Sequence, residues 1–338
     1  MFLDGNTLHD EFASDKLTVV IPTYGRSDKI LNSIYSCQHS NIYVVVIDDN
    51  GLDSPNQIAT KNLIESLSSE YTTNLHYHAL SVNSGACVAR NKGIELAKTS
   101  VVTFLDDDDM LLVEETLQKL EHFSKQGDFD ICCSDMYSKF NNSIYQMPFC
   151  YFRGLTHQEF LADGNCYTPM IMARKESLIN IGGFDNCKKF QDHVLMLKIH
   201  LNNLNVCFFD KPSFIHIDHD EYRISNKACS YQTIKLRFQY EFELLNKINL
   251  EETDYHKLKD LIVQRKKYLC FYFIVMPRLN AFTKRFVGSK RFFNSKSKGE
   301  NMAYVNIKSF LYALKTIAGL PFVIKRVAYF VKGKKLRE

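Results

Sequence analysis

The sequence predicts an α/β domain built on a mostly parallel sheet covered by helices. Three observations carry that prediction. Short runs rich in Val and Ile alternate with segments whose apolar residues recur at helical spacing. Each run stops at a turn or an acidic residue, as strands buried on both faces do. The chain, 338 residues and 45% hydrophobic, is large enough to bury a sizeable core.

The strands come in order as "LTVVIP" (Leu17–Pro22), "IYVVVIDD" (Ile42–Asp49) and "VVTFLDD" (Val101–Asp107). Between them, "DKILNSIYSC", "NQIATKNLIESL" and "ACVARNKGIELAK" read as helices. Parallel strands need such crossovers. Gly85 opens the third helix, and Gly93 lets it pack closely against a neighbour. A further helix is expected from near Val113. The stretch from Cys150 to Ser230 is mixed, with a Gly182-Gly183 turn, a helical "QDHVLMLKIHL" and a strand-like "FIHI" (Phe214–Ile217). Tyr231 to Arg265 is helical and highly charged. The apolar run "YLCFYFIVM" (Tyr268–Met276) is too short to span a bilayer. A Lys/Ser/Gly-rich break then leads to a last helical stretch. Residues 1–230 are expected to form one domain, with halves at about 17–135 and 136–230, and residues 231–338 a helical extension.

Met1 to Lys16 is mixed and acidic and does not read as a signal peptide. The ten cysteines show no CxxC pair, so a reducing cytosol is expected and a zinc site is not. The net charge of +4 is uneven. From Pro277 onward fifteen Lys/Arg face two Glu, about +13, against about −9 for everything before. Such a tail suits an anionic partner.

In open parallel sheets, ligands bind outside the carboxyl ends of the strands. All three early strands end in chemistry-bearing residues: Pro22-Thr23-Tyr24, Asp48-Asp49-Asn50 and Asp106 to Asp109. Four adjacent carboxylates repel one another unless water or a cation screens them. Asp106-x-Asp108 can hold a hard divalent cation through oxygen; a solvated acidic turn capping the helix near Val113 is the alternative. Tyr24 can stack on a base or be a buried turn tyrosine. Asp49 can accept from a base N–H or make an Asx turn. Arg90 can pair with a diphosphate, or with a strand-end aspartate.

The order "VVIPTYGR", "VVVIDDNG", "NSGACVARNKGI", "VVTFLDDDD", "IGGFDN", "FQDHVLMLKI" resembles the family 2 glycosyltransferases of the GT-A fold, over about Leu17 to Ser230. The resemblance implies a nucleotide-sugar donor, UDP-linked, held by Pro22, Thr23, Tyr24, Asp49, Arg90, Asn91, Asp106 and Asp107. It implies Mn²⁺ or Mg²⁺ on Asp108 and Asp106, with His219 as a further contact. The four acids leave that register open by one residue. Where the family has Glu-Asp, this chain has Gln191-Asp192, so Asp192 keeps the role of catalytic base, an N-cap being the alternative. The family's habit further implies an inverting reaction on a lipid-linked saccharide in bacterial surface-polysaccharide assembly, at the cytosolic face of the inner membrane.

Two rivals belong to other classes. A sugar nucleotidyltransferase would carry a glycine-rich loop after the first strand, and "IPTYGRS" has too little glycine. A non-catalytic binding protein of the same fold would lack the paired acids or the base. A dinucleotide oxidoreductase is disfavoured by the absence of GxGxxG.

In the tail, Ile307, Phe310, Leu311, Leu314 and Ile317 share one helical face with Lys308 and Lys315 off it. This is the pattern of a basic surface helix; a core-packing helix is the alternative, and without a nucleic-acid module no nucleic-acid partner is expected. Each Lys or Arg near an anionic bilayer contributes about 1 kcal/mol. The protein is therefore expected to sediment with anionic liposomes at low salt, and deletion of the segment after Lys298 to weaken this strongly. Equal partitioning of the two proteins would refute a membrane role.

Overall fold

The computed structural model describes residues 16–67, 73–140, 143–146, 150–218 and 229–275. Chain packing divides it into two units. The first comprises Met1–Thr156, Gly164–Asn186 and Gln191–Asp220; the second comprises His157–Asp163, Cys187–Phe190 and Glu221–Glu338. Two short segments within the expected residues 1–230 group with the second unit.

The first unit is a mixed sheet with helices on it. Its elements are β1 (Leu17–Thr23), α1 (Ile30–Ser36), β2 (Ile42–Asp48), α2 (Pro55–Glu65), β3 (Leu75–Ala79), α3 (Ala86–Leu96), β4 (Val101–Phe104) and β5 (Met110–Leu111). There follow α4 (Val113–Lys125), β6 (Ile131–Phe140) and β7 (Ser143–Tyr145). Helix α5 (His157–Asp163) belongs to the second unit. The first unit resumes with β8 (Ile171–Arg174), α6 (Lys175–Asn180), α7 (Gln191–Leu201) and β9 (Val206–Asp218). The strand order is β3-β2-β1-β4-β8-β6-β9-β5, with β7 on β6.

The first four strands are parallel, and β8 pairs antiparallel with both β4 and β6. Starting at β1, the chain steps outward to β2 and β3, then returns to place β4 on the other side of β1. The reversal lies between β1 and β4, and there the connections leave in opposite directions and open a crevice at the carboxyl ends. Val19, Val20, Ile21, Val45, Val46, Ile47, Val102 and Phe104 are fully buried, which explains the unbroken apolar runs. Neither β3, whose "LHYHA" carries no Val or Ile, nor β6, whose "ICCSDMYSKF" interrupts its apolar residues with Ser, Asp and Lys, has the Val- and Ile-rich run that marks the other strands. β3 lies at the sheet edge and β6 recruits its neighbours over long range, so neither needed a strong local signal.

Two local features fix the helices. Ser54 caps α2 by accepting from Gln57 N at 3.2 Å, with Pro55 at the first helical position. Gly93 of α3 meets the sheet so closely that a Cβ there would overlap the Val20 side chain.

In the second unit α8 (Tyr231–Lys247) and α9 (Glu252–Cys270) pack together. Ser230 caps α8 on Thr233 N. Between them Glu241, with no exposed surface, receives Arg237 at 2.7 Å and Arg265 at 3.0 Å. Arg265 also donates to the carbonyls of Leu161 and Ala162, satisfying the free C-terminal turn of α5. Among the described residues no helix is long and apolar enough to cross a membrane.

Gly93→Ala is expected to cost about 1–3 kcal/mol through overpacking against β1. Urea unfolding of Gly93→Ala, Val20→Ala and the double variant checks it. The double variant should be more stable than the sum of the two losses, because Val20→Ala makes room for the new methyl; strictly additive losses would rule the contact out as the cause.

Candidate active site

The four aspartates after β4 sit at the reversal between β1 and β4, and they alternate. Asp107 and Asp109 are buried, at 6% and 1% exposure, whereas Asp106 and Asp108 are partly open. The chain turns here, with the Asp109 N–H donating to the Asp106 carbonyl at 3.1 Å, and the turn splits the run into an inner and an outer pair.

The inner pair is consumed by the protein. Asp107 accepts from Thr23 Oγ1 at 2.7 Å and from Arg26 Nη1 at 3.0 Å. Burial still lifts its carboxyl to about 7, against the pull of Arg26 and Thr23. Asp109 accepts from the Ile217 N–H at 2.9 Å and lies 3.0 Å from His216 Nδ1. Burial raises it to about 6, with His216 pulling the other way. Ser33 of α1 donates to the Asp109 carbonyl at 2.8 Å. Helix α4 begins at an N-cap, Leu112, with no side-chain cap, so the acids do not cap it.

The outer pair faces two arginines. Asp108 pairs with Arg26, and Asp106 with Arg90 Nη2 at 2.7 Å. Arg90 also donates through Nη1 to Gln191 Oε1 at 2.5 Å and lies over the Phe184 ring. Its Nε is buried without an acceptor among the described residues. Arg90 therefore joins the acid cluster to the first turn of α7, where Asp192 stands next to Gln191. The Asp192 carboxylate accepts from His193 N at 2.7 Å. The residue before that helix, Phe190, has φ 61°, a strained conformation for a bulky side chain that costs about 1–2 kcal/mol. In the second unit Phe190 is held by the Phe273 ring and by Arg237, 4.9 Å from its centroid.

At the ends of β1 and β2, Tyr24 is 58% exposed and so is no buried turn residue. Asp49 accepts from Ser84 N at 2.6 Å and Gly85 N at 2.8 Å, an anion placed at the N-terminus of α3. Burial raises its carboxyl while those two N–H groups oppose the rise. Gly85, at φ 93°, supplies the turn that aims them. The Asx turn falls instead on Asp48, which accepts from Asn50 N and from the Tyr77 hydroxyl. Asn91 spends its amide on the protein: Nδ2 donates to Phe184 O, and Oδ1 accepts from Phe184 N, both at 2.8 Å. A Cβ on Gly183 would overlap that oxygen, and Gly183 has φ 57°.

The expected residues Pro22, Thr23, Tyr24, Asp49, Arg90, Asp106, Asp107 and Asp108 thus lie on neighbouring strand ends or on α3. His219 and the basic tail lie outside the described residues. Sequence reading gave no role to Arg26, although it stands in "IPTYGR", nor to Asp109 and His216. Their pairings join residues about 80 and 107 positions apart, which no local pattern shows.

Residues 18–182 match the family described as glycosyl transferase family 2. This chain carries a family 2 glycosyltransferase domain. The matched region contains Tyr24, Asp49, Arg90 and the four aspartates, and stops short of Asp192 and His216. Among curated relatives, the poly(ribitol-phosphate) beta-N-acetylglucosaminyltransferase TarP of Staphylococcus aureus is 31% identical over 122 residues, covering 34% of this chain and 35% of that one. A GalNAc(5)-diNAcBac-PP-undecaprenol beta-1,3-glucosyltransferase of Campylobacter jejuni is 31% identical over 100 residues, 29% of this chain and 31% of the other. The chain spans about a third of the length of these relatives. The crystal structure of S. aureus TarS 1–349 in complex with UDP-GlcNAc superposes with a TM-score of 0.57 at 21% identity, over 76% of this chain and 73% of that one. Its likeness concerns the fold, which is that of the GT-A transferases.

Proposed function

We propose that the protein is an inverting, metal-dependent glycosyltransferase that moves a sugar from a nucleotide sugar, UDP-linked, to a saccharide hydroxyl. The observation that carries the reading is the bridge through Arg90. One guanidinium spans Asp106 of the acid cluster and Gln191, and so keeps Asp192 beside the strand ends where a donor would lie.

Tyr24, exposed at the end of β1, offers its ring to the base. Each Asp49 oxygen accepts one backbone N–H and retains a second lone pair, so it can still accept from the N3–H of a uracil. Arg90, with a buried Nε lacking an acceptor, has a donor left for a diphosphate oxygen. Asn91 supports this geometry from one step behind, by fixing the Gly183–Phe184 turn.

The donor set suits a hard cation. Asp106 and Asp108 are the two acids turned outward, both offer oxygen, and both are now neutralised by guanidinium groups. Asp108 with Asp106 would hold Mn²⁺ or Mg²⁺, which when bound supplies positive charge for the departing diphosphate. Arg26 would then have to turn from Asp108 while keeping Asp107. Asp192 takes the proton of the acceptor hydroxyl as its oxygen bonds to the anomeric carbon and the carbon–phosphate-oxygen bond breaks. Attack opposite the leaving group inverts the anomeric centre, and no covalent sugar–enzyme intermediate is needed.

The names of the relatives, one a poly(ribitol-phosphate) transferase and the other a transferase for an undecaprenol-linked saccharide, support a saccharide acceptor of bacterial surface-polysaccharide assembly, carried on a lipid. The basic tail would then keep the enzyme at the cytosolic face of the inner membrane.

Asp108→Ala is expected to abolish transfer and Mn²⁺-dependent UDP binding while leaving the unfolding transition intact. Calorimetry with UDP, with and without EDTA, checks it; unchanged turnover in the variant, or full wild-type activity in excess EDTA, would overturn the metal assignment.

Asp192→Asn, nearly isosteric but unable to take a proton, should lower kcat by about 10²-fold or more and leave donor KM nearly unchanged. A screen of UDP-, GDP- and dTDP-sugars against saccharide acceptors finds the working pair, and the variant is then compared on it. Loss of donor affinity in step with turnover would make Asp192 a donor ligand. NMR of the product should show an anomeric configuration opposite to the donor's.

A further inference from the structure

Remote from the sequence patterns that suggested chemistry, three metal-ligating side chains converge beneath α4. Cys132 on β6 and Cys207 on β9 are register partners in a parallel pair, so their side chains leave the same face of the sheet side by side. His122 comes down on them from the last turn of α4. One ligand atom from each of the three lies within 4.8 Å of the others. Among the described residues no other group of three His, Cys, Asp or Glu side chains is so disposed.

We propose that His122, Cys132 and Cys207 form a binding site for a borderline-soft divalent cation, Zn²⁺ above all, separate from the acidic cluster and independent of the activity proposed above. Two thiols and an imidazole are the ligand set such an ion prefers, and one that Mg²⁺ or Ca²⁺ avoids. Bonds of about 2.3 Å to sulfur put two thiolates of a tetrahedral site about 3.8 Å apart. The three ligand atoms therefore need to close by about 1 Å at most, within reach of χ rotations at the end of a helix.

The surroundings are prepared for it. His122 Nε2 lies 3.2 Å from the Gln126 side-chain nitrogen, and the roles in that contact follow the imidazole tautomer. With the Gln126 amide turned to present its oxygen, it would accept the ring N–H and leave Nδ1 for the metal, the kind of outer partner that metal-bound histidines commonly have. The His122 ring packs on Phe209 of the same strand as Cys207, centroids 5.7 Å apart. Lys119, one turn earlier on α4 and buried, is anchored on Ser134 Oγ at 3.0 Å and Met170 O at 2.7 Å. Its ammonium interacts with both proposed cysteine ligands, and a nearby positive charge favours a thiolate. Binding releases two thiol protons, and two thiolates neutralise the ion, so no net charge is buried. His122 is half-buried while both cysteines are buried. The ion would enter past the imidazole, with water completing the fourth position.

Three elements supply one ligand each, which is why no spacing in the sequence announces the site. A metal there would staple the end of α4 to the β6–β9 pair.

The test uses the full chain, reduced, stripped with a chelator and titrated with Co²⁺. The expected result is one equivalent giving a thiolate-to-cobalt charge-transfer band with the strong d–d bands of a four-coordinate ion, displaced by one equivalent of Zn²⁺. Cobalt on the carboxylates of the acidic cluster gives no such charge transfer, so the two sites are told apart by colour. Cys132→Ser or Cys207→Ser should weaken binding by about tenfold or more, whereas Cys150→Ser, at an exposed thiol, should not. His122→Ala alters a half-buried position and should keep the fold while weakening the band. Absence of the charge-transfer band from the folded wild-type chain overturns the proposal without any variant. So does a band that survives unchanged in His122→Ala and in the Cys132→Ser/Cys207→Ser pair.

Discussion

Four consecutive carboxylates at the end of a buried strand set the electrostatic problem that the rest of this molecule is arranged to solve. Left together in one direction they would repel and ionise poorly. The turn after β4 separates them into two pairs, and each acid then receives a cation or hydrogen-bond donors, Arg26 serving both Asp107 and Asp108. Thr23 and Arg26 come from the β1 turn, His216 and the Ile217 N–H from β9, and Arg90 from α3. Three parts of the chain are thereby drawn to the carboxyl end of β4, and the crevice is assembled by the same contacts that make the acids tolerable.

The inner and outer pairs divide the work. Asp107 and Asp109 are desolvated and bonded to the scaffold, which is why burial raises both. Asp106 and Asp108 are themselves partly open to water, Asp108 on the half-buried Arg26 and Asp106 on the buried Arg90, and the more open of such ion pairs exchange partners at less cost. A protein that must present carboxylates to a charged ligand needs both kinds. The buried Arg237–Glu241–Arg265 triad of the second unit is the contrasting case, since a buried ion pair is weak as a source of stability and strongly destabilising when one partner is removed.

Much of this was legible in the sequence. The three strands ending in Thr23-Tyr24, Asp48-Asp49 and the aspartates, the helices between them and the α7 helix are all where apolar periodicity put them, to within a few residues. Gly93 was readable as a packing glycine because a glycine inside a helical pattern costs stability and needs a spatial reason. Which acids face outward was not readable: "DDDD" is symmetric under a shift of one, and burial broke that symmetry. The Arg26, His216 and Gln191 pairings, like the convergence of His122 with two cysteines, depend on strand order. A strand pairing of β6 with β9 spans about 75 residues and leaves no local trace. Asn91, whose motif suggested a ligand, also holds the Gly183–Phe184 turn through its amide, a contact that the motif does not show.

Arg90 and Asn91 are adjacent on α3, yet they grip the chain at two points, Gln191 and the backbone of Phe184. One grip would leave a pivot about which the start of α7 could swing. Two grips define an axis, so the segment carrying Asp192 is fixed in direction as well as in position relative to α3. Helix α3 is itself seated on β1 through Gly93. Rate depends steeply on alignment between reacting groups, and a displacement of about 1 Å can cost two orders of magnitude. The pair therefore acts as a gauge block: the distance from the strand ends to the start of α7 is set through helix α3 and not only through the loop that precedes α7.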